Sequence, residues 1–75
     1  MTDARAPAAD DIRIYERQRA GGNVIKWDVC LVNGHFLRFR TRNAASAAIE
    51  CWARDNIVSA WITKNDGQDW QRWLL

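Results

Sequence analysis

The chain has 75 residues, of which 48% are hydrophobic and 27% charged, with a net charge of +2. That is enough apolar material for one small core, and it excludes a disordered polymer, a multi-domain enzyme and a repeat solenoid. No apolar run approaches the ~18 residues that a membrane span requires, and two cysteines are too few for a disulfide framework.

Residues 1–11 hold Ala, Pro and three Asp without periodicity and read as a flexible tail with no apolar leader; residues 12–75 read as a single α+β domain. From residue 12 the pattern has period two. Ile12 and Ile14 face one way, and Arg13, Tyr15, Arg17 and Arg19 the other, as in a half-buried strand over 12–19. A turn at 20–23 follows, with Gly21-Gly22 as an expected two-residue loop. Residues 24–32 alternate again, setting Ile25, Trp27, Val29 and Leu31 against Lys26, Asp28 and Cys30. A third strand over 35–42 puts Leu37 and Phe39 inward and Phe36, Arg38, Arg40 and Arg42 outward.

Directly opposed residues of an antiparallel pair share a face, so the registers can be tested by parity. The first hairpin sets Ile14 opposite Val29. For the second, a two-residue Asn33-Gly34 loop would put Trp27 on the face of Arg38 and Arg40. A three-residue loop, Val32-Asn33-Gly34 with Gly34 left-handed, sets Trp27 opposite Phe39 and Val29 opposite Leu37.

Asn43 is the expected N-cap of an Ala-rich helix over 44–55. Its apolar stripe is Ala45, Ala48, Ile49, Trp52 and Ala53, and Asn56 is the expected left-handed C-cap. Residues 57–64 read as a fourth strand with Val58, Ala60 and Ile62 inward and Trp61 outward. After the Asn65-Asp66-Gly67 turn, the Asp-Gly signal favours a fifth strand over a helix for the last residues. The expected architecture is a four- or five-stranded antiparallel sheet, in β-β-β-α-β order with or without a fifth C-terminal strand, and one helix packed on one face.

Charge follows the strand phase. Residues 12–42 hold seven cations against two acids, and all seven cations fall on the face turned away from the core, where Asp28 is the one acid. Tyr15 and Phe36 interleave with them. The expected partner-binding set is Arg13, Tyr15, Arg17, Arg19, Lys26, Phe36, Arg38, Arg40 and Arg42, with Trp61 as an outlying anchor. Arginine offers a planar fork to carboxylate or phosphate and a face that stacks on rings. The expected partner is therefore an acidic protein surface, a nucleoprotein complex or nucleic acid itself, and not a membrane. A sheet face whose Arg stems merely cover apolar surface, or are covered by the acidic tail, is the plainer reading. No nucleophile motif, phosphate-cradling loop or zinc-ligand spacing is present, so the expectation is a non-enzymatic protein of the cytoplasm with no metal or other cofactor.

Two resemblances add to this. The segment Lys64-Asn65-Asp66-Gly67-Gln68-Asp69-Trp70, following Ser59-Ala60-Trp61-Ile62, is similar in its K-x-D-G-x-x-W spacing to the C-terminal hairpin of a type I-F anti-CRISPR family. That likeness implies a five-stranded sheet with one helix, and a small phage or mobile-element inhibitor that occludes a host machine such as an RNA-guided surveillance complex. Phage inhibitors of bacterial RNA polymerase share the same coarse look. No functional residue carries over position by position. The stretch Trp27-Asp28-Val29, Asn33-Gly34, Arg38-Phe39-Arg40-Thr41 and Ala47-Ala48 resembles the N-terminal DNA-binding modules of tyrosine integrases. This second likeness implies direct DNA reading by an Arg-rich sheet; the expected fourth strand departs from it.

Overall fold

The computed structural model describes residues 6–19, 21–31 and 34–73, with Val24 and Ile25 described by their backbone alone. Five strands and one helix follow in the order β1 (Ile12–Gln18), β2 (Val24–Cys30), β3 (Phe36–Phe39), α1 (Arg42–Asn56), β4 (Ala60–Thr63) and β5 (Gln71–Arg72). They build one sheet in the order β3-β2-β1-β4-β5 with the helix on one side. The strand expected after the Asp-Gly turn is β5, which pairs antiparallel with β4 through Trp61 opposite Arg72 and Ile62 opposite Gln71.

The sheet is mixed, which corrects the antiparallel expectation: β4 lies parallel to β1, Ile12 to Tyr15 matching Ala60 to Thr63. Two hairpins bring β3 to one edge of the sheet. The helix then carries the chain back past β2 and β1 before β4 begins. A strand-helix-strand run within one sheet is a crossover, the connection that parallel pairing requires.

The hairpin registers follow the hydrophobic parity. Ile14 faces Val29, Val29 faces Leu37, and Trp27 faces Phe39. In the second hairpin the Leu31 amide donates to the His35 carbonyl at 2.8 Å, and Gly34 (φ 85°) donates back to Leu31 at 3.0 Å. That is the geometry of a three-residue loop closed by a left-handed glycine; Val32 and Asn33 themselves lie outside the described residues. The first hairpin differs from expectation. It has the same closure one turn earlier: the Arg19 amide donates to the Asn23 carbonyl at 2.9 Å, and Gly22 (φ 88°) donates to Arg19 at 2.8 Å. Its loop therefore also has three residues, and a register shift between Arg17 and Gln18 absorbs the extra one.

Helix α1 starts at Arg42, two residues before the expected helix start at Ala44. The Thr41 hydroxyl, with extended backbone, accepts the Ala44 amide at 3.2 Å, so Thr41 replaces Asn43 as N-cap. At the other end Ile57, not Asn56, takes the left-handed position (φ 52°), while the Asn56 side chain bonds back to the Trp52 carbonyl at 2.9 Å. Ala45, Ile49 and Ala53 are buried against Ile12, Ile14, Trp27, Val29, Leu31, Ala60, Ile62 and Trp73, with Phe39, Trp52 and Val58 at the margin. Leu37 points to this side but stays 43% exposed. Glu16 is a charged residue on the core side. It is buried, and its carboxylate accepts the Trp27 indole N–H at 3.1 Å, with Gln18 and Lys64 beside it. No helix among the described residues is long and apolar enough to cross a membrane.

Candidate functional site

The side of the sheet without a helix is built from the odd positions of β1 and the even positions of β2 and β3. Two rows cross it. One runs Arg72, Trp61, Arg13, Cys30, Phe36; the next runs Thr63, Tyr15, Asp28, Arg38; Arg17 and Lys26 pair beyond them. Strand phase thus places Arg13, Tyr15, Arg17, Lys26, Phe36 and Arg38 together as expected from the sequence.

Asp28 organises this surface. It is only 2% exposed, and it accepts from Arg38 through Nε at 2.7 Å and Nη2 at 3.2 Å, and from Arg17 Nε at 3.2 Å. The hydrogen bonds from Arg38, then those from Arg17, hold the Asp28 carboxyl below the ordinary carboxylate range against the opposing effect of burial. The same bonds raise Arg38 further above its ordinary value. Arg17 is raised first by its 2.7 Å bond to Asp66 and then by Asp28. One buried acid therefore fixes two guanidinium groups whose own side chains still reach solvent.

Each fixed guanidinium lies over a ring. The Arg38 carbon sits 5.5 Å from the centre of Phe36, which is 51% exposed, and the Arg17 carbon 5.1 Å from the centre of Tyr15. Tyr15 in turn meets Trp70 edge to face at 5.5 Å. Trp70 follows the turn after β4, where a side chain at Gly67 (φ 92°) would meet both rings and the Thr63 hydroxyl accepts the Gly67 amide at 2.9 Å. Burial, then Asp28, pushes the Cys30 thiol up between these groups.

Two expected contact residues do not belong to this surface. Trp61 points to the helix-free side but is only 3% exposed. The chain before β1 closes over it: its indole donates to Asp11 at 2.9 Å, and Arg72 stacks on its ring at 5.0 Å. Asp11 also accepts the Ser59 amide at 3.2 Å and forms a reciprocal turn with Ala8. Burial opposes its charge, yet the bonds from Ala8, Trp61 and Ser59, with Arg72 nearby, hold its carboxyl below the ordinary range. Arg42 is the second departure. It opens the helix and stacks at 4.4 Å on Trp73, a core residue of the opposite side. Arg13 bonds to the carbonyls of Ala8 and Asp11 at 3.1 and 3.3 Å. The side chains of Arg19, Lys26 and Arg40 have no hydrogen-bond or ion-pair partner among the described residues.

Sequence reasoning treated Asp28 only as an exception to a basic pattern and did not see it as the centre of the arrangement. The signal was present: a lone acid in the same cross-sheet row as Tyr15 and Arg38. Asp66 and Trp70 come from a turn far along the chain, and no local spacing reports that contact. No protein-family model matches the chain, and comparison with curated proteins and with solved structures returns no match.

Proposed function

We propose that the chain is a non-enzymatic binding protein that docks its helix-free sheet face onto an acidic protein surface and acts by occlusion. The observation that carries this is the Asp28 clamp. It orients Arg38 over Phe36 and Arg17 over Tyr15, so the face presents two pre-set Arg–aromatic pairs. Arginine and aromatic side chains dominate binding energy in protein interfaces. Fixing them beforehand removes part of the ordering cost of association. Occupying a site that nucleic acid or another protein would otherwise use is the mode of action of small inhibitors of the kind the C-terminal hairpin resembles.

A second reading is direct binding of nucleic acid by the same face. The exposed Phe36 ring and the Tyr15–Trp70 pair favour it, because aromatic faces stack on bases. The charge balance weighs against a phosphate backbone: Asp28 and Asp66 offset the central guanidinium charge. A phosphate backbone is held chiefly by cations that displace counterions.

Affinity capture from cell lysate, with and without nuclease, separates the two. The comparison variant is Lys26→Glu with Phe36→Ala, which leaves Asp28 and both of its partners in place. A protein retained after nuclease and lost with the variant is the expected result. Retention that vanishes with nuclease supports the nucleic-acid reading. Equal retention by the variant would remove this face from the account.

A further inference from the structure

We propose that the chain self-associates through the open edge of β3, forming a two-fold dimer with one continuous sheet. β3 is an outer strand of the sheet and, with four residues, the longer of the two edges. Two of the three exposed large hydrophobic residues among those described, Phe36 and Leu37, lie on it. Such an edge carries unpaired backbone groups that template another strand.

Which groups are unpaired follows from the ladder. The Leu31 amide bonds to the His35 carbonyl, so that pair is a hydrogen-bonded one. The pairs alternate from there, which makes Val29–Leu37 and Trp27–Phe39 hydrogen-bonded as well. Leu37 and Phe39 therefore spend their backbone groups on β2. The N–H and C=O groups of Phe36 and Arg38 point outward.

A second copy fits this edge in one register. In an antiparallel pair opposed residues share a face, so a two-fold axis must pass through a residue position rather than between two. An axis at Leu37 opposes Phe36 of each copy to Arg38 of the other, and both outward-facing residues exchange their hydrogen bonds. It repeats across the seam the Arg38–Phe36 pairing already present within each chain. Leu37 meets its own copy at a non-hydrogen-bonded position, where Cα atoms approach to about 4.5 Å and side chains are closest. An axis at Arg38 would set two arginines against each other, which is unfavourable. An axis at Phe36 would put Arg38 opposite Gly34, whose left-handed backbone ends the ladder. The 43% exposure of Leu37 leaves the axis position open on the helix side. An axis normal to the sheet keeps both helix-free faces on the same side, which doubles the docking surface and lets both halves engage one partner.

The four-residue seam buries less than a standard interface, so association is weak and is read at high concentration. Sedimentation equilibrium from micromolar to millimolar protein tests it. The expected result is a mass rising toward twice 8.7 kDa for the native chain, and a mass fixed at the single value for Leu37→Lys, checked by circular dichroism for an intact fold. Leu37 lies on the helix side, so this variant leaves the docking face untouched and the outcome is independent of the proposed function. As a second arm, Leu37→Cys in a Cys30→Ser, Cys51→Ser background is expected to form a disulfide-linked dimer under mild oxidation. A single-chain mass at every concentration, or self-association unchanged in Leu37→Lys, would overturn the proposal, as would failure of the Leu37→Cys chains to cross-link.

Discussion

Asp28 concentrates the chemistry of the helix-free face in one carboxylate. It is buried, accepts three hydrogen bonds from two arginines, and has its acidity increased by them. The sign of the pH dependence follows. A carboxyl that is more acidic in the folded chain binds fewer protons there than in the unfolded chain. It therefore contributes stability above its unfolded value of about 3.9, and that stability is lost as pH falls through the lower folded value. Asp11 acts in the same direction. Thermal unfolding between neutral pH and strong acid should show stability falling below about pH 4. Asp28→Asn should flatten that fall and lower neutral-pH stability by about 1–3 kcal/mol, toward the lower end because both arginines reach water. An unchanged acid profile would mean that the clamp contributes nothing. A reversal at Arg38 is a poor probe of binding for the same reason, since it would set a second acid against Asp28.

Among the elements, α1 shows where propensity and tertiary contact part company. Its interior was legible because an Ala-rich run with Ile49 and Ala53 at helical spacing has one apolar stripe. Its ends were not. Thr41 and Asn43 are both good caps, and what separates them is whether the chain leaves β3 at residue 39 or at 42. Thr41→Ala should cost about 1 kcal/mol in chemical denaturation, while Asn43→Ala, inside the helix, should cost far less. At the other end a β-branched residue occupies a left-handed position with 92% of its surface exposed. That conformation costs roughly 1–2 kcal/mol in an L-residue and nothing comparable in glycine. Ile57→Gly should raise the urea midpoint by about 1 kcal/mol of stability with an unchanged slope. The hairpins teach the same lesson. Alternation set which residues share a face through Arg13–Arg17, but the choice between a two-residue loop and a three-residue loop with a bulge depended on Gly22, which accepts either.

For the molecule as a whole, alternation separated the apolar side from the basic side through Arg13–Arg17, where partners keep the expected parity; beyond the shift Gln18 pairs with Val24 in place of Ile25. What alternation does not carry is contact between distant segments. The parallel β1–β4 pairing, the turn that lays Asp66 on Arg17, and the residues before β1 that cover Trp61 all depend on how the chain folds back on itself. They remove Trp61 from the surface and make the face a mosaic of fixed Arg–aromatic pairs in place of a uniformly basic sheet. That mosaic is the basis for preferring an acidic protein surface to a phosphate backbone. The most direct test is a nitrogen-edited NMR titration at low salt with poly-glutamate, a probe of acidic polypeptide, read through backbone amides and the arginine Nε–H signals. Shifts are expected to cluster on Tyr15, Arg17, Phe36 and Arg38, with Ala47, Glu50 and Arg54 of the helix unmoved. Shifts centred on the helix side, or none on the four face residues at saturating probe, would contradict it.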